Sequence, residues 1–487
     1  MRQLIVVSRR EDWPLDVPGV EIVTARDYLT RPEWSTLKSA RVYNLCRSYR
    51  YQANGYYVSL LAAARGHKPL PTIGTIQDFK SSNVIRIVSA DLDRLIETSL
   101  RPLQSTHFTL SIYFGRNLAQ RHQRLATALF NLFPAPLLRA EFQRSGDQWL
   151  LSRLSPIGYS DIPEQHHDFA AEAATLYFSG KRPRSRTRRN SRFDLAILVN
   201  PAEPNPPSDE KAIVRFEQAG EAVGFNVERI GPDEIGRLAE FDALFIRETT
   251  AVNHHSFRIA RRAAAEGLVV IDDPESILRC TNKVYLAELL ERHGVPAPRT
   301  LLVHRDNADQ IEEKLGLPVV LKQPDSAFSL GVIKVHDRDQ LKDSVNALLK
   351  RSDLVVAQEY LPTDFDWRVG LIDGRPLYVC RYHMARGHWQ IIQRDGEASR
   401  EGDADCLSVG EAPEAVVATA VKAAGLIGNG LYGVDLKEVD GRVVVIEVND
   451  NPSIDAGVED AVLKGALYRE IMGVMFKRVM ARKLATG

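Results

Sequence analysis

Two carboxylates near the end of the chain, Asp435 and Glu447, stand 12 residues apart, with Asn449 2 residues beyond the second. They lie in strand-like runs, residues 431–438 (LYGVDLKE) and 442–448 (RVVVIEV), joined through Asp440-Gly441, a strong hairpin signal. Register decides what they can do. A two-residue loop pairs Val439 with Arg442 and sends the two acids to opposite faces. A three-residue loop, residues 440–442, pairs Val439 with Val443 and sets Asp435 opposite Glu447, with Cβ atoms about 4.5–5.5 Å apart. Asn449 then shares the face of Glu447 by the period of two. Two carboxylates and an amide oxygen form a hard, all-oxygen set, which suits Mg²⁺ bridging substrate phosphates. The plainer reading is an amphipathic hairpin with its acids in water. It accounts for Asp435 better than for a carboxylate inside Val443-Val444-Val445-Ile446-Glu447-Val448.

Upstream, the apolar run at 317–322 (LPVVLK) ends in Lys322. A lysine there costs on the order of several kcal/mol unless an anion neutralises it, or unless its stem lies along apolar surface with the ammonium in water. The small and polar residues that follow, Ser326, Ser329 and Gly331 among them, can offer backbone N–H groups to phosphate oxygens. The run LVVAQ, ending at Gln358, reads as a strand that Pro362 must stop, so the chain turns at Glu359-Tyr360-Leu361, as a hinge between two lobes would. Arg368 and Arg381 fall on strands near the acids. Their guanidinium forks suit carboxylate and acyl-phosphate oxygens, although most arginines are surface residues.

These side chains need elements to hold them. Between residues 193 and 271, strands (193–199, 226–230, 243–247, 268–271) alternate with helices (208–223, capped by Ser208 or Asp209, and 256–266). The alternation implies a parallel α/β layer. In the segment 181–192 (KRPRSRTRRNSR), 7 of 12 residues are Lys or Arg and nothing apolar is available to bury. It reads as an exposed linker, with a docking strip for RNA or an acidic partner as the sharper alternative. Residues 1–180 mix short strands with amphipathic helices, beginning with a strand at Leu4-Ile5-Val6-Val7. Their densest feature interleaves Arg47, Tyr49, Arg50, Tyr51, Tyr56 and Tyr57. Such a cluster can stack and bind anions, or pack half-buried with phenol tips in water, which composition favours.

The whole chain sets the bounds. Its 487 residues suggest three domains at about 150 residues each. Apolar residues at 44% and charged residues at 26% describe ordinary globular composition. Lys+Arg and Asp+Glu balance at 63 each, so polyanion binding by the molecule as a whole is not expected. No run reaches the roughly 18 apolar residues of a membrane span. Cys46, Cys280, Cys380 and Cys406 form no CxxC pair and read as free thiols in a reducing cytoplasm.

Taken in order, Lys283 in Cys280-Thr281-Asn282-Lys283, Lys322 in VVLKQP, Gln358-Glu359-Tyr360-Leu361, Asp366 with Arg368, and then Asp435, Glu447 and Asn449 resemble the ATP-grasp superfamily. Within it they look like the RimK-type ligases related to glutathione synthetase and D-alanine–D-alanine ligase. The α/β layer is similar to the pre-ATP-grasp domain. The stretch CRSYRYQANGYYVSLLAAARGHKPLP resembles an N-terminal domain found in a subset of RimK-like proteins. The resemblance implies an α/β fold class with α+β nucleotide-binding lobes, in four parts. These are an N-terminal α/β domain (1–180), a basic linker (181–192), a parallel pre-ATP-grasp domain (193–281) and an ATP-grasp domain (282–487).

The resemblance also implies roles. Lys283 and Lys322 would bind nucleotide phosphates under a lid holding Ser326, Ser329 and Gly331. Gln358 and the 359–361 backbone would serve adenine, Asp366 would lie near the ribose, and Asp435, Glu447 and Asn449 would ligate Mg²⁺ (or Mn²⁺). Arg368 and Arg381 would clamp an acyl phosphate. The implied activity is a cytoplasmic, homo-oligomeric, ADP-forming carboxylate–amine ligase that joins an amino acid or other carboxylate to an amine acceptor, whether metabolite, peptide or protein tail. One departure limits the transfer. RimK carries an Arg-Ser-Asn stretch beside nucleotide and acceptor, whereas this chain has Ala385-Arg386-Gly387-His388-Trp389-Gln390. Glutamate transfer to a ribosomal protein tail is therefore not expected, and His388 and Trp389 become the candidates for acceptor contact. The rival readings are a kinase using the same grasp and a nucleotide-binding, RNA- or ribosome-associated protein that relies on the basic linker.

Overall fold

A computed structural model describes residues 2–37, 39–80, 85, 92–146, 148–179, 191–325, 331–385, 389–395 and 398–486. Most of the basic linker (181–190), Ser326, Ser329 and residues 386–388 lie outside the described residues. The chain forms two compact units, Met1–Arg189 with Asp233–Phe241, and Asn190–Pro232 with Asp242–Gly487.

In the first unit a parallel sheet runs in the order Glu21–Thr24, Arg2–Val7, Ala40–Asn44, Lys68–Leu70. Leu4, Ile5, Val6 and Val7 are all fully buried, as a parallel strand covered on both faces requires. An antiparallel sheet follows, His107–Tyr113, Leu137–Ser145 and Gln148–Pro156. One expectation is corrected here. Residues 193–281 are not a continuous domain, because Asp233–Phe241 belongs to the first unit. Glu240 explains the anchoring: its buried carboxylate accepts from Arg41 Nη1 at 2.8 Å and from the Tyr177 hydroxyl. The Tyr–Arg cluster divides. Tyr49 donates to the Asn44 carbonyl at 2.6 Å and Arg47 pairs with Asp12, while Tyr51 stays 66% exposed, edge-on to Tyr56.

The second unit starts from a parallel sheet ordered Val269–Ile271, Ala243–Ile246, Phe193–Leu198, Phe225–Ile230. The helix Glu210–Val223, between the strands Phe193–Leu198 and Phe225–Ile230, is capped by Asp209, which accepts from the Ala212 N–H at 2.8 Å. Gly224, at φ +110°, ends it in the left-handed region. The C-terminal helix Gly465–Thr486 packs on the same core, where Tyr468 and Met472 meet Phe216 and Phe225.

Two antiparallel sheets complete this unit. The first runs Thr300–Val303, Val355–Glu359, Val319–Lys322, Val332–Val335. Its Val319 and Leu321 are buried with Val345 and Leu348 of the helix Arg338–Leu349, so alternation turns Val320 and Lys322 to the other face. The second sheet runs Ala404–Leu407, Arg375–His383, Phe365–Ile372, Leu431–Val439, Arg442–Asn449. Trp367, Val369, Val434 and Leu436 pack with Val416, Ala420 and Ala423 of the helix Glu414–Ile427. The opposite face carries Arg368 and Asp435.

The cysteine expectation is also corrected. Cys46 and Cys280 are buried thiols, but Cys380 and Cys406, partners across the ladder, form a disulfide. Their 26-residue separation hides a neighbourhood that only strand register creates. Among the described residues no helix is long and apolar enough to cross a membrane.

Gly370 shows how tightly the second sheet is packed. A Cβ there would lie 2.2 Å from ring atoms of Tyr378, a fully buried side chain. Gly370→Ala is expected to destabilise the protein by about 1–3 kcal/mol, read as a lowered denaturant midpoint; an unchanged midpoint would contradict this packing.

Candidate active site

The acid hairpin follows neither simple register. Its loop is the short one, with Asp440 and Gly441 at φ +52° and +75°, and Val439 pairs with Arg442. Left regular, that ladder would separate the acids. A bulge at Ile446 adds one residue to the second strand, so the pairing shifts and Asp435 faces Glu447 after all. Beyond it, Gly433 pairs with Asn449. The three-residue loop is thus corrected to a two-residue loop plus a bulge, while the juxtaposition it was meant to create is present.

Four elements bring charge to this point. The strand Phe365–Ile372 supplies Arg368, whose Nε and Nη2 donate to the two Asp435 oxygens at 2.6 and 2.8 Å. Such a fork holds a carboxylate in one orientation. Asn449 Nδ2 adds a bond to Asp435 Oδ2 at 3.1 Å and another to the Gly433 carbonyl at 3.4 Å. The helix Lys283–Arg292, capped by Asn282, begins with Lys283, whose Nζ lies 3.0 Å from Glu447 Oε1. Lys322 arrives from the other sheet. Asp366 pairs with Lys437 Nζ at 2.5 Å and accepts from the Thr363 hydroxyl at 3.1 Å. Lys322, Asp366, Arg368, Asp435, Glu447 and Asn449 all line one cleft of about 1370 Å³, as does Lys283.

Electrostatics fit an anionic ligand. Burial alone would push the Glu447 carboxyl up, yet Lys283 and Lys322 hold it below its ordinary range. Burial raises Asp435, with Arg368 offsetting part of the rise. Loss of hydration lowers Lys322 to about 8, despite Glu447 nearby. The donor set suits a hard divalent cation, since Asp435 and Glu447 are paired across the ladder and Asn449 spends its N–H₂ on Asp435 and Gly433, which leaves its oxygen to face a ligand.

The other expected residues divide. Gln358, Glu359 and Leu361 line the cleft. The Glu359 carboxylate is held by Arg299, from N at 2.8 Å and Nε at 2.6 Å. Gln358 donates to Thr300 Oγ1 at 3.0 Å, and the Tyr360 ring carries Lys334 Nζ 3.6 Å from its centroid. Gly331, at φ +72°, takes the Gln323 N–H on its carbonyl at 3.1 Å. Trp389 lines the cleft and meets Tyr360 edge-on, while Ser326, Ser329 and His388 are outside the described residues.

Arg381 is not brought in. It pairs in register with Trp367, on the helix-covered face, and binds Asp405 at 2.8 Å through Nε. Alternation along the strand puts its neighbours Cys380 and Tyr382, not Arg381, on the side of Arg368.

Sequence reasoning missed Lys437, although it stands two residues from Asp435 on one strand and so shares its face. It also missed the wall made by Pro204–Pro207 and Thr249–Asn253. That wall follows the carboxyl ends of two parallel strands, where open α/β sheets place ligands.

Two sheets, with Lys322 on one, the acid–amide set on the other and Lys283 at a helix start beside it, describe the ATP-grasp class. Residues 280–462 match the family model described as the RimK-like ATP-grasp domain, and residues 25–173 match the RimK-like ATPgrasp N-terminal domain. The chain belongs to the RimK-like ATP-grasp proteins, a family of carboxylate–amine ligases. Among its relatives is a protein of Alcanivorax borkumensis named probable alpha-L-glutamate ligase, 27% identical over 244 residues, which are 49% of this chain and 76% of that one. A protein of the same name from Vibrio vulnificus is 25% identical over 280 residues, 53% of this chain and 90% of that one. Among solved structures, D-alanine–D-alanine ligase from Bacillus anthracis superposes with a TM-score of 0.47 at 16% identity, over 60% of this chain and all 100% of that one.

Lys322 gives the site a pH signature. Its lowered pKa means that the ammonium form, which phosphate needs, is present below about pH 8 and lost above it. ATP affinity is expected to hold steady below pH 8 and then fall by up to about tenfold per pH unit, while Lys322→Arg stays flat. Titrations from pH 7 to 9.5 check this; a flat wild-type profile would contradict it.

Proposed function

We propose that this chain is an ATP- and Mg²⁺-dependent, ADP-forming ligase that joins an amino acid to an amine through an acyl phosphate. The observation that carries the reading is the cleft in which Lys283 and Lys322 flank Glu447 while Arg368 locks Asp435. A substrate carboxylate oxygen attacks the γ-phosphorus of ATP and ADP leaves; the amine nitrogen then attacks the acyl carbon, phosphate departs and the nitrogen gives up a proton. No side-chain nucleophile is required, because such transfers rest on positioning and charge neutralisation.

Asp435, Glu447 and Asn449 would hold Mg²⁺, which when bound supplies neutralisation of phosphate charge. Lys283 and Lys322 orient the phosphates, and the turn at Gln358–Leu361 receives the base. Arg368, at the boundary between Asp435 and the open cleft, is the residue placed to meet the acyl phosphate. Arg381 is left out because it faces away. The names of the relatives make glutamate the first amino acid to test, and the cytoplasm is the compartment that would supply ATP.

Glu447→Ala is expected to lower substrate-dependent ADP release by at least about a hundredfold with the fold intact by circular dichroism. Near-normal turnover at unchanged Mg²⁺ would refute the assignment. Hydroxylamine should trap an acyl hydroxamate from wild type; a stable phosphorylated product with no hydroxamate would make the protein a kinase instead.

A further inference from the structure

Behind the cleft wall, Glu248, His254 and His255 each place a ligand atom so that all three lie within 4.8 Å of one another. Glu248 follows the strand Ala243–Ile246, His254 caps the helix His255–Ala265, and His255 is its first residue. The cluster is therefore held between a strand end and a helix start.

Glu248 is fully buried, and among the described residues neither of its oxygens accepts a hydrogen bond. Its partner is His255 Nε2, 2.7 Å from Oε1 but without hydrogen-bond geometry. A buried carboxylate so poorly compensated is unfavourable, and a cation seated among the three groups would compensate it.

His254 is oriented as a ligand would be. Its Nδ1 lies 2.8 Å from Ser256 Oγ, and that hydroxyl donates to the Thr249 carbonyl at 3.0 Å. The Ser256 N–H also donates to Nδ1, at 3.4 Å, so backbone and hydroxyl together fix the orientation of the ring. Two imidazoles and one carboxylate suit Zn²⁺ and similar first-row ions, whereas Mg²⁺ prefers oxygen alone.

We propose that Glu248, His254 and His255 form a second metal site, specific for a divalent ion of the Zn²⁺ class and separate from the oxygen donors at Asp435, Glu447 and Asn449. Its place gives it a task. The Glu248 carbonyl accepts from Asn451 Nδ2 at 2.6 Å, and Thr249 donates to Glu203 through both N–H and hydroxyl. Thr249, Thr250 and Asn451 line the cleft. A bound ion ties down the segment that forms this wall and leaves a coordination position for water.

The test uses the full-length chain, stripped with chelator and titrated with Zn²⁺ alone by equilibrium dialysis, with Co²⁺ absorption as the spectroscopic readout. Wild type should take up one equivalent and show ligand-field bands of a mixed N/O site. Glu248→Gln and His255→Asn, checked for folding by circular dichroism, should each weaken uptake by about tenfold or more; one folded variant is sufficient. Glu447→Gln should bind Zn²⁺ as wild type does. Absence of uptake by wild type, or equal uptake by folded Glu248→Gln and His255→Asn, overturns the proposal.

Discussion

Glu447 stands between two ammoniums, and the second unit is organised around keeping it there. Lys283 reaches it from a helix start at 3.0 Å and Lys322 approaches from the facing sheet. Neither lysine shares an element with the carboxylate: the helix of Lys283 packs on the sheet that carries Glu447, and only Lys322 comes from the other sheet. Next to it, Arg368 and Asp435 form a forked pair within one sheet. Around this point four cationic side chains, Lys283, Lys322, Arg368 and Lys437, meet three carboxylates, Asp366, Asp435 and Glu447. Lys283, Arg368 and Lys437 each pair with one of these carboxylates, whereas the half-buried Lys322 ammonium only approaches Glu447, and a phosphate would complement it.

The backbone device that allows this is small. A tight two-residue turn is the stable choice for Asp-Gly, because both residues adopt positive φ. That turn alone would put the acids on opposite faces. The bulge at Ile446 reverses the consequence, trading one ladder position for the juxtaposition of Asp435 and Glu447. Bulges recur beside active sites for this reason, since they re-aim a side chain without disturbing the flanking strands.

Much of this was legible beforehand, where the signal was local or a joint pattern. Strand and helix alternation between 193 and 271 follows from periodicity, and the helix stop at Gly224 from the need for a left-handed residue. The order of Lys283, Lys322, Asp366, Arg368, Asp435, Glu447 and Asn449 carried the family. What stayed hidden depended on contacts between distant strands. A bulge leaves no composition signature, so the hairpin could be read only as two alternatives. Arg381 and Arg368 look alike in sequence, and only pairing with Trp367 shows that Arg381 faces the covering helix. Cys380 meets Cys406 across a ladder whose register no cysteine spacing reveals. Asp233–Phe241 follows a buried ion pair between Glu240 and Arg41, 199 residues apart.

The central claim is that three oxygen donors on one hairpin and two lysines on other elements serve a single triphosphate. Pulsed electron paramagnetic resonance of the protein with Mn²⁺ and a non-hydrolysable ATP analogue tests it most directly. The account predicts ³¹P hyperfine coupling to the protein-bound ion, lost in Asp435→Asn and Glu447→Gln and weakened when Lys283 is replaced by Met. Mn²⁺ bound without phosphorus coupling, or coupling that persists in both acid variants, would contradict it.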